Sequence, residues 1–258
     1  MASGREEGVA VNGHPLLEAR QVSVRFDGLV AVDAVSAAFA AGELVGIIGP
    51  NGAGKTTFFN ALSGLQQPTG GELHAMGRRL TGARAHRYAG LGIARTFQTP
   101  RIFGGLSVAA NIAFGLHFAG RRRAGAWLLK DEHSILNVIG LAELEDLPAA
   151  AITPSQQRLL EIGMALATRP RLLLLDEVAA GLTEAEIDSM AQLIRRLRDE
   201  LDLTVIWIEH AVTTLLKYVE RVIVLHQGRK IADGTPAEVV RNAEVIEAYL
   251  GDELAQAT

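Results

Sequence analysis

Leu44-Val-Gly-Ile-Ile-Gly-Pro-Asn-Gly-Ala-Gly-Lys-Thr-Thr57 decides the fold of this chain. Leu44–Ile48 is a short apolar run, suited to a strand buried on both faces. It leads straight into Gly49, and residues 49–57 satisfy the pattern G-x-x-x-x-G-K-[ST] in full. Gly49, Gly52 and Gly54 are read as letting the backbone fold around phosphate oxygens with no Cβ in the way. The backbone N–H groups, and the positive end of a helix expected over Thr56–Leu65, would then face the anion. Lys55 adds a full charge near the β and γ phosphates, and Thr56 offers a hydroxyl to Mg2+. Asn51 and Thr57 complete the expected nucleotide-binding set.

Downstream, Leu172-Leu-Leu-Leu-Asp176-Glu177 places two carboxylates at the mouth of a second buried strand. That is where open α/β sheets bind ligands. Asp176 is expected to hold Mg2+, directly or through water, and Glu177 to polarise an attacking water as general base.

The remaining sequence gives the architecture. Val22, Val24 and Phe26, then Val30 and Val32, alternate with other residues as half-buried strands do, with Asp27-Gly28 as the turn between them. Residues of about 100–160 carry helical patterns, Val108–Phe118 and Glu132–Ile139, and few strand runs. From there the α/β texture returns. Glu184–Leu201 is an amphipathic helix with Ile187, Met190, Ile194, Leu197 and Leu201 on one face, and Leu203–Ile208 and Val222–Leu225 are strands. The expected fold is therefore an α/β nucleotide-binding core with a mostly parallel sheet, an antiparallel β part near the N-terminus and an inserted helical subdomain. Residues 1–14 read as a flexible lead and 15–258 as the nucleotide-binding domain.

Composition narrows the classes. The chain has 258 residues, 48% of them hydrophobic and 21% charged, with a net charge of -4. That balance argues against a protein built to wrap nucleic acid. With no cysteine, disulfides, thiolate metal sites and thiol catalysis are excluded. No stretch approaches the ~20 apolar residues of a spanning helix, so work at a membrane would need a partner. Arg121-Arg122-Arg123 reads as a solvated loop, with contact to lipid headgroups or a partner as the alternative.

Three further features arrive in a fixed order. Gln98 follows Ile93-Ala-Arg-Thr-Phe97, Gln156-Gln157-Arg158-Leu-Leu-Glu161-Ile162 precedes the acidic strand, and His210 follows Leu203–Ile208. With the loop and the acidic pair, they resemble the ATP-binding-cassette family from about Leu16 to Gly251. The resemblance implies roles for matching residues. Phe26 would stack on adenine, Gln98 would link Mg2+ and the lytic water to the helical subdomain, and His210 would contact the γ-phosphate. It also implies ATP and Mg2+ as cofactors, membrane permease subunits and a second cassette as partners, no nucleic acid, and a place at the cytoplasmic face of the cell membrane. Phe26-Asp-Gly-Leu-Val-Ala-Val32, Pro100-Arg-Ile-Phe103, Ala179-Ala-Gly-Leu182 and Ile246-Glu-Ala-Tyr-Leu-Gly251 resemble the ATPases of branched-chain amino-acid importers, which also use a solute-binding protein. A soluble non-transport cassette ATPase and a regulatory cassette of weak hydrolysis are the alternative readings.

The sequence also departs from the family. Its signature, which serves ATP held by the other subunit, ordinarily has a glycine before its glutamine. Here Ile152-Thr153-Pro154-Ser155-Gln156 puts Ser155 there. Val178 stands in place of a usual proline, and Ala211 in place of a frequent aspartate. Thr153, Ser155 and Gln156 are assigned to a partner's ATP, with weakened turnover and a preference for a heterodimer as the expectation. Thr153-Pro154-Ser155-Gln156 should also start a helix, with Thr153 as N-cap, Pro154 first and Gln156 closing a capping box.

Overall fold

A computed structural model describes residues 15–119, 127–209 and 212–256. The lead at 1–14, the Arg121–Arg123 run, His210 and Ala211 lie outside the described residues. The strands are β1 (Leu17–Phe26), β2 (Leu29–Phe39), β3 (Leu44–Ile48), β4 (Gly70–Ala75), β5 (Arg78–Arg79), β6 (Ile93–Arg95), β7 (Leu172–Asp176), β8 (Thr204–Ile208), β9 (Arg221–His226) and β10 (Arg229–Gly234). The helices are α1 (Lys55–Leu62), α2 (Ala85–Gly90), α3 (Val108–Ala119), α4 (Glu132–Val138), α5 (Pro154–Ala167), α6 (Glu184–Leu201), α7 (Val212–Tyr218), α8 (Pro236–Val239) and α9 (Ala243–Gln256).

The central sheet runs β10-β9-β3-β8-β7-β6, parallel throughout except for β10, which pairs antiparallel with β9. β3, β7 and β8 are buried along their whole length. Both faces are covered, because alternate residues of a strand point opposite ways. Leu172 and Leu174 join a core with β1, β2, β4 and α1, whereas Leu173 and Leu175 join a core with α3 to α6. The second sheet, β2-β1-β4-β5, is antiparallel and supplies the β part near the N-terminus.

Between β6 and β7 the described residues hold helices and no strand, and α5 continues to Ala167. Three helices start with the same device. Thr153, Thr183 and Thr235 each accept the N–H of the third helical residue, and Gln156, Glu186 and Glu238 each reach back to the cap backbone. α6 buries Ile187, Met190, Ile194, Leu197 and Leu201 and ends at Asp202, whose φ is 51°.

Two elements differ from the sequence reading by more than one residue at an end. α1 begins at Lys55 and stops at Leu62, because Gly64 takes a φ of 75°. β6 ends at Arg95 rather than Phe97, since its pairing with β7 covers only residues 93–95.

Candidate functional site

Register builds the site. β8 lies between β3 and β7, and Ile208 is level with both Ile47 and Asp176. The loop after β3 and the carboxylates at the end of β7 therefore emerge at the same edge of the sheet, although they are far apart in sequence. Gln98 and the start of α1 meet them there. Phe26, Asn51, Lys55, Thr56, Gln98 and Glu177 are among the residues lining one cleft of about 660 Å3, together with Gly52, Gly54 and Thr57.

The loop glycines have separate reasons. A Cβ on Gly49 would lie 2.1 Å from the Leu225 carbonyl oxygen of β9, and one on Gly54 would lie 2.2 Å from that of Ala31 in β2. Only Gly52, with φ of 76°, has open space beside it. The sequence reading gave all three to phosphate. At Gly49 and Gly54 the chain's own backbone is a further reason that excludes a side chain. Lys55 is 5% exposed, and its Nζ donates to the carbonyls of Gly49 at 2.6 Å and Pro50 at 2.9 Å. The ammonium is thus folded back over the loop. Phe26 is 44% exposed on the cleft wall, so it is not a core aromatic.

Asp176 and Glu177 are 3% and 4% exposed. Glu177 holds a left-handed φ of 49° that a β-strand end would not impose. Its N–H donates to the Ile208 carbonyl at 3.0 Å, and its Oε2 accepts from Gln98 Nε2 at 2.6 Å. The expected general base and the expected link residue are therefore joined directly.

Asp176 ends β7, as the sequence reading placed it. It is not among the residues lining the cleft, and its Oδ2 accepts from Arg95 Nη2 at 2.6 Å. Arg95 also donates to Asn60 Oδ1 at 2.6 Å and Ser63 Oγ at 2.8 Å, with the rings of Phe59 and Phe97 each 5.0 Å away. Burial pulls the Arg95 guanidinium below its ordinary range, while the Asp176 hydrogen bond and charge push it back up. Among the described residues no group of three His, Asp or Glu gathers to cage a metal. Thr56 and Gln98 on the cleft are hard oxygen donors, which suit Mg2+ held largely by phosphate and water.

Sequence reasoning quoted Arg95, Arg158 and Glu161 within patterns but gave them no task. Arg158 of α5 donates to the carbonyls of Gln98 at 3.2 Å, Glu177 at 3.1 Å and Ala180 at 2.8 Å. Glu161, one turn on, is buried and accepts the N–H groups of Arg101 and Phe97. Burial pushes its carboxyl up, and those N–H groups pull it back. The two residues clamp the Gln98 segment to α5 from one helix face. The available signal was a charged pair at a three-residue spacing at the start of the apolar stretch of α5. Glu209, also buried, accepts from Ala179 N–H at 2.7 Å and from Trp207 Nε1 at 3.1 Å, fixing the chain after Glu177.

The α5 start forms as read. Gln156 N–H donates to Thr153 Oγ1 at 3.3 Å, Thr153 N–H donates to Gln156 Oε1 at 2.9 Å, and Pro154 is in the first turn. Ser155 Oγ lies 3.1 Å from Thr153 Oγ1. Ser155 and Glu186 share the wall of a second cleft, of about 860 Å3, between α5 and α6. Hydrogen bonds from Thr183, then from Ser155, hold the Glu186 carboxyl below its usual range. Thr153, Ser155 and Gln156 do not line the phosphate cleft, so one chain does not unite them with its own loop. Elsewhere, Phe103, Phe114 and Phe118 form an exposed aromatic row with centroids 4.6 and 4.9 Å apart. Among the described residues no helix is long and apolar enough to cross a membrane.

Comparison with known proteins agrees with this geometry. Residues 32–180 match the ABC transporter family, and residues 229–255 match the family described as branched-chain amino acid ATP-binding cassette transporter. The chain is 38% identical over 251 residues to the high-affinity branched-chain amino acid transport ATP-binding protein BraF of Pseudomonas aeruginosa, covering 92% of this chain and 98% of that protein. It is equally 38% identical over 251 residues, with the same coverage, to the corresponding protein LivG of Escherichia coli K12. A crystallised ATP-binding cassette of an ABC transporter, in its ADP conformation, superposes with a TM-score of 0.81 at 28% identity, over 92% of this chain and 98% of that one.

Proposed function

The chain belongs to the ABC transporter family, and from that premise we propose that it is the ATP-binding and ATP-hydrolysing subunit of an importer of branched-chain amino acids or a related small polar solute. One observation carries the reading: the complete phosphate loop and the Gln98–Glu177 pair, joined at 2.6 Å, line one cleft. In this reading the loop N–H groups and Lys55 hold the β and γ phosphates, and Phe26 stacks on the adenine. Glu177 accepts the proton of the attacking water, and Gln98 reports its occupancy to α5 through the Arg158 clamp. Mg2+ bound with the nucleotide would neutralise phosphate charge, held by Thr56 and Gln98 with Asp176 behind them. Within this proposal His210 would contact the γ-phosphate.

Thr153, Ser155 and Gln156 serve the ATP of a second cassette, and the added side chain of Ser155 favours a different cassette over a second copy. Closure of the two cassettes on ATP, then opening after hydrolysis, would drive permease subunits in the membrane. The Phe103-Phe114-Phe118 row supports such a partner, since an exposed aromatic patch of this kind marks an interaction surface. The chain would sit peripherally on the cytoplasmic face, with a solute-binding protein completing the importer. Ser155 also supports the second reading, a regulatory cassette of weak hydrolysis, and ATPase rates with and without the permease separate the two. The binding site itself is tested by Lys55→Ala, which should weaken binding of a fluorescent ATP analogue about ten- to a hundredfold, as expected for losing a hydrogen-bonding charge. Unchanged affinity would remove the site assignment.

A further inference from the structure

The proposed chemistry leaves Arg95 without a task. It sits one residue before Thr96, whose Oγ1 accepts the Asp176 N–H at 3.2 Å, and three before Gln98. Its own side chain takes the Asp176 carboxylate at 2.6 Å, and both side chains are almost wholly buried, at 8% and 5% exposure. The same guanidinium holds Asn60 and Ser63 at and just beyond the end of α1. One cation therefore ties together the helix that follows the phosphate loop, the acidic strand end and the segment that carries Gln98.

This placement has an electrostatic consequence. A carboxylate at the mouth of β7 would ordinarily be an uncompensated charge waiting for a metal ion. Here its charge is compensated before any nucleotide arrives. Buried ion pairs of this kind are costly to break from one side only, because the remaining charge is stranded in a low dielectric. A divalent cation entering beside Asp176 meets a carboxylate already paired and a guanidinium that repels it. The rings of Phe59 and Phe97, each 5.0 Å from the guanidinium, help to hold it in place.

We propose that Arg95 is a positioning residue, a built-in counter-ion for Asp176 that weakens divalent-cation binding at the nucleotide site and couples it to the Gln98 segment. The inference rests on the proposed ATP·Mg2+ reading of the cleft. It predicts an increase in affinity on mutation, which loss of a merely structural residue would not give. Removing the guanidinium takes one positive charge away from beside Asp176, so Mn2+ should bind more tightly. Replacing it by lysine keeps the charge but loses the fork to Asn60 and Ser63, so Mn2+ affinity should stay near that of the parent.

The experiment uses the full chain with a saturating non-hydrolysable ATP analogue and follows free Mn2+ by electron paramagnetic resonance. Arg95→Met should bind Mn2+ on the order of tenfold more tightly, the size expected of one neighbouring opposite charge. Arg95→Lys should stay within about threefold of the parent. Arg95→Met combined with Asp176→Asn should lose the gain. The melting temperature of Arg95→Met should also rise more steeply with Mn2+ than that of the parent. If Arg95→Met does not fold, Arg95→Gln carries the same comparison. Equal or weaker Mn2+ binding in the uncharged variants would overturn the proposal. Binding of a fluorescent ATP analogue without metal is measured in parallel. A parent chain that binds none overturns the ATP reading and this inference together, whereas normal nucleotide binding with unmoved Mn2+ affinity overturns this inference alone.

Discussion

The phosphate cleft and the start of α5 are both rich in polar groups, and the chain treats them in opposite ways. In and beside the cleft, Lys55, Asp176 and Glu177 are almost wholly buried and are held by partners from the loop after β3, from β6 and β8, and from the Gln98 segment. At the α5 start, Thr153 is exposed, and its hydrogen bonds go to Gln156 and Ser155, within its own turn. The first region is over-determined by non-local contacts, so a ligand there meets groups already fixed in place. The second is satisfied as a helix end, with Ser155 reaching Glu186 of α6. Burial and distant partners mark a site that works from within the chain. On the proposed reading, the ligand of the exposed α5 start comes from another molecule.

The largest expected effect lies in the cleft. Glu177→Gln keeps the shape and an oxygen for the Gln98 amide but removes basicity, so ATP hydrolysis should fall roughly 10²–10⁴-fold while affinity for a fluorescent ATP analogue is retained. Steady-state turnover and analogue titration on the same preparation make the test, and undiminished hydrolysis would remove Glu177 from its proposed role. Such a result would break the comparison, because the most firmly fixed carboxylate would then be doing structural work only.

A smaller effect is expected at Ser155. Crowding of about 1.4 kcal/mol in a closed pair of cassettes would cost roughly tenfold in closure. Ser155→Gly should therefore raise the ATPase rate up to about tenfold where this α5 faces a nucleotide-loaded partner, and should leave nucleotide affinity of the isolated chain unmoved. If the isolated wild-type chain turns over fast and Ser155→Gly changes nothing in either setting, Ser155 is no handicap and the preference for a heterodimer falls.

What the sequence made legible follows the same division. β3, the loop, α1, β7 and α6 were readable because their signals are local: a short apolar run, a glycine pattern, a 3.6-residue stripe. The capping box of α5 was readable within four residues. β4 was not, since Gly70-Gly-Glu-Leu-His-Ala75 has only two buried positions and exists through pairing with β1, Leu17 opposite Ala75. The Arg95–Asp176 pair spans 81 positions and the Glu161 contact to Arg101 spans 60, so no window of sequence contains either. For that reason Asp176 was read as a metal ligand alone, and its guanidinium partner went unassigned. At Gly49 and Gly54 a second constraint, the close carbonyls of Leu225 in β9 and Ala31 in β2, was not legible in the sequence.

The smallest expected effect sharpens the comparison most directly, because it separates stability from binding. Thr153→Ala removes the hydroxyl that accepts the Gln156 N–H at 3.3 Å and leaves the first turn of α5 one acceptor short. N-cap losses of this type cost about 1 kcal/mol. The same substitution at Thr235, whose Oγ1 accepts the Glu238 N–H at 3.4 Å at the start of α8, provides the control. Both caps are exposed and both helices begin Thr-Pro, so the two variants should lose stability by similar amounts in urea unfolding. Neither should change the affinity of the isolated chain for a fluorescent ATP analogue, because neither threonine lines the phosphate cleft. In the assembled transporter they should part company. Thr153→Ala should also lower the ATPase rate, since its hydroxyl would face the partner's nucleotide, and Thr235→Ala should not. A drop in nucleotide affinity of isolated Thr153→Ala would show that the α5 start belongs to its own chain's site after all. Equal rates for both variants in the transporter would show that the α5 start is a helix end and nothing more.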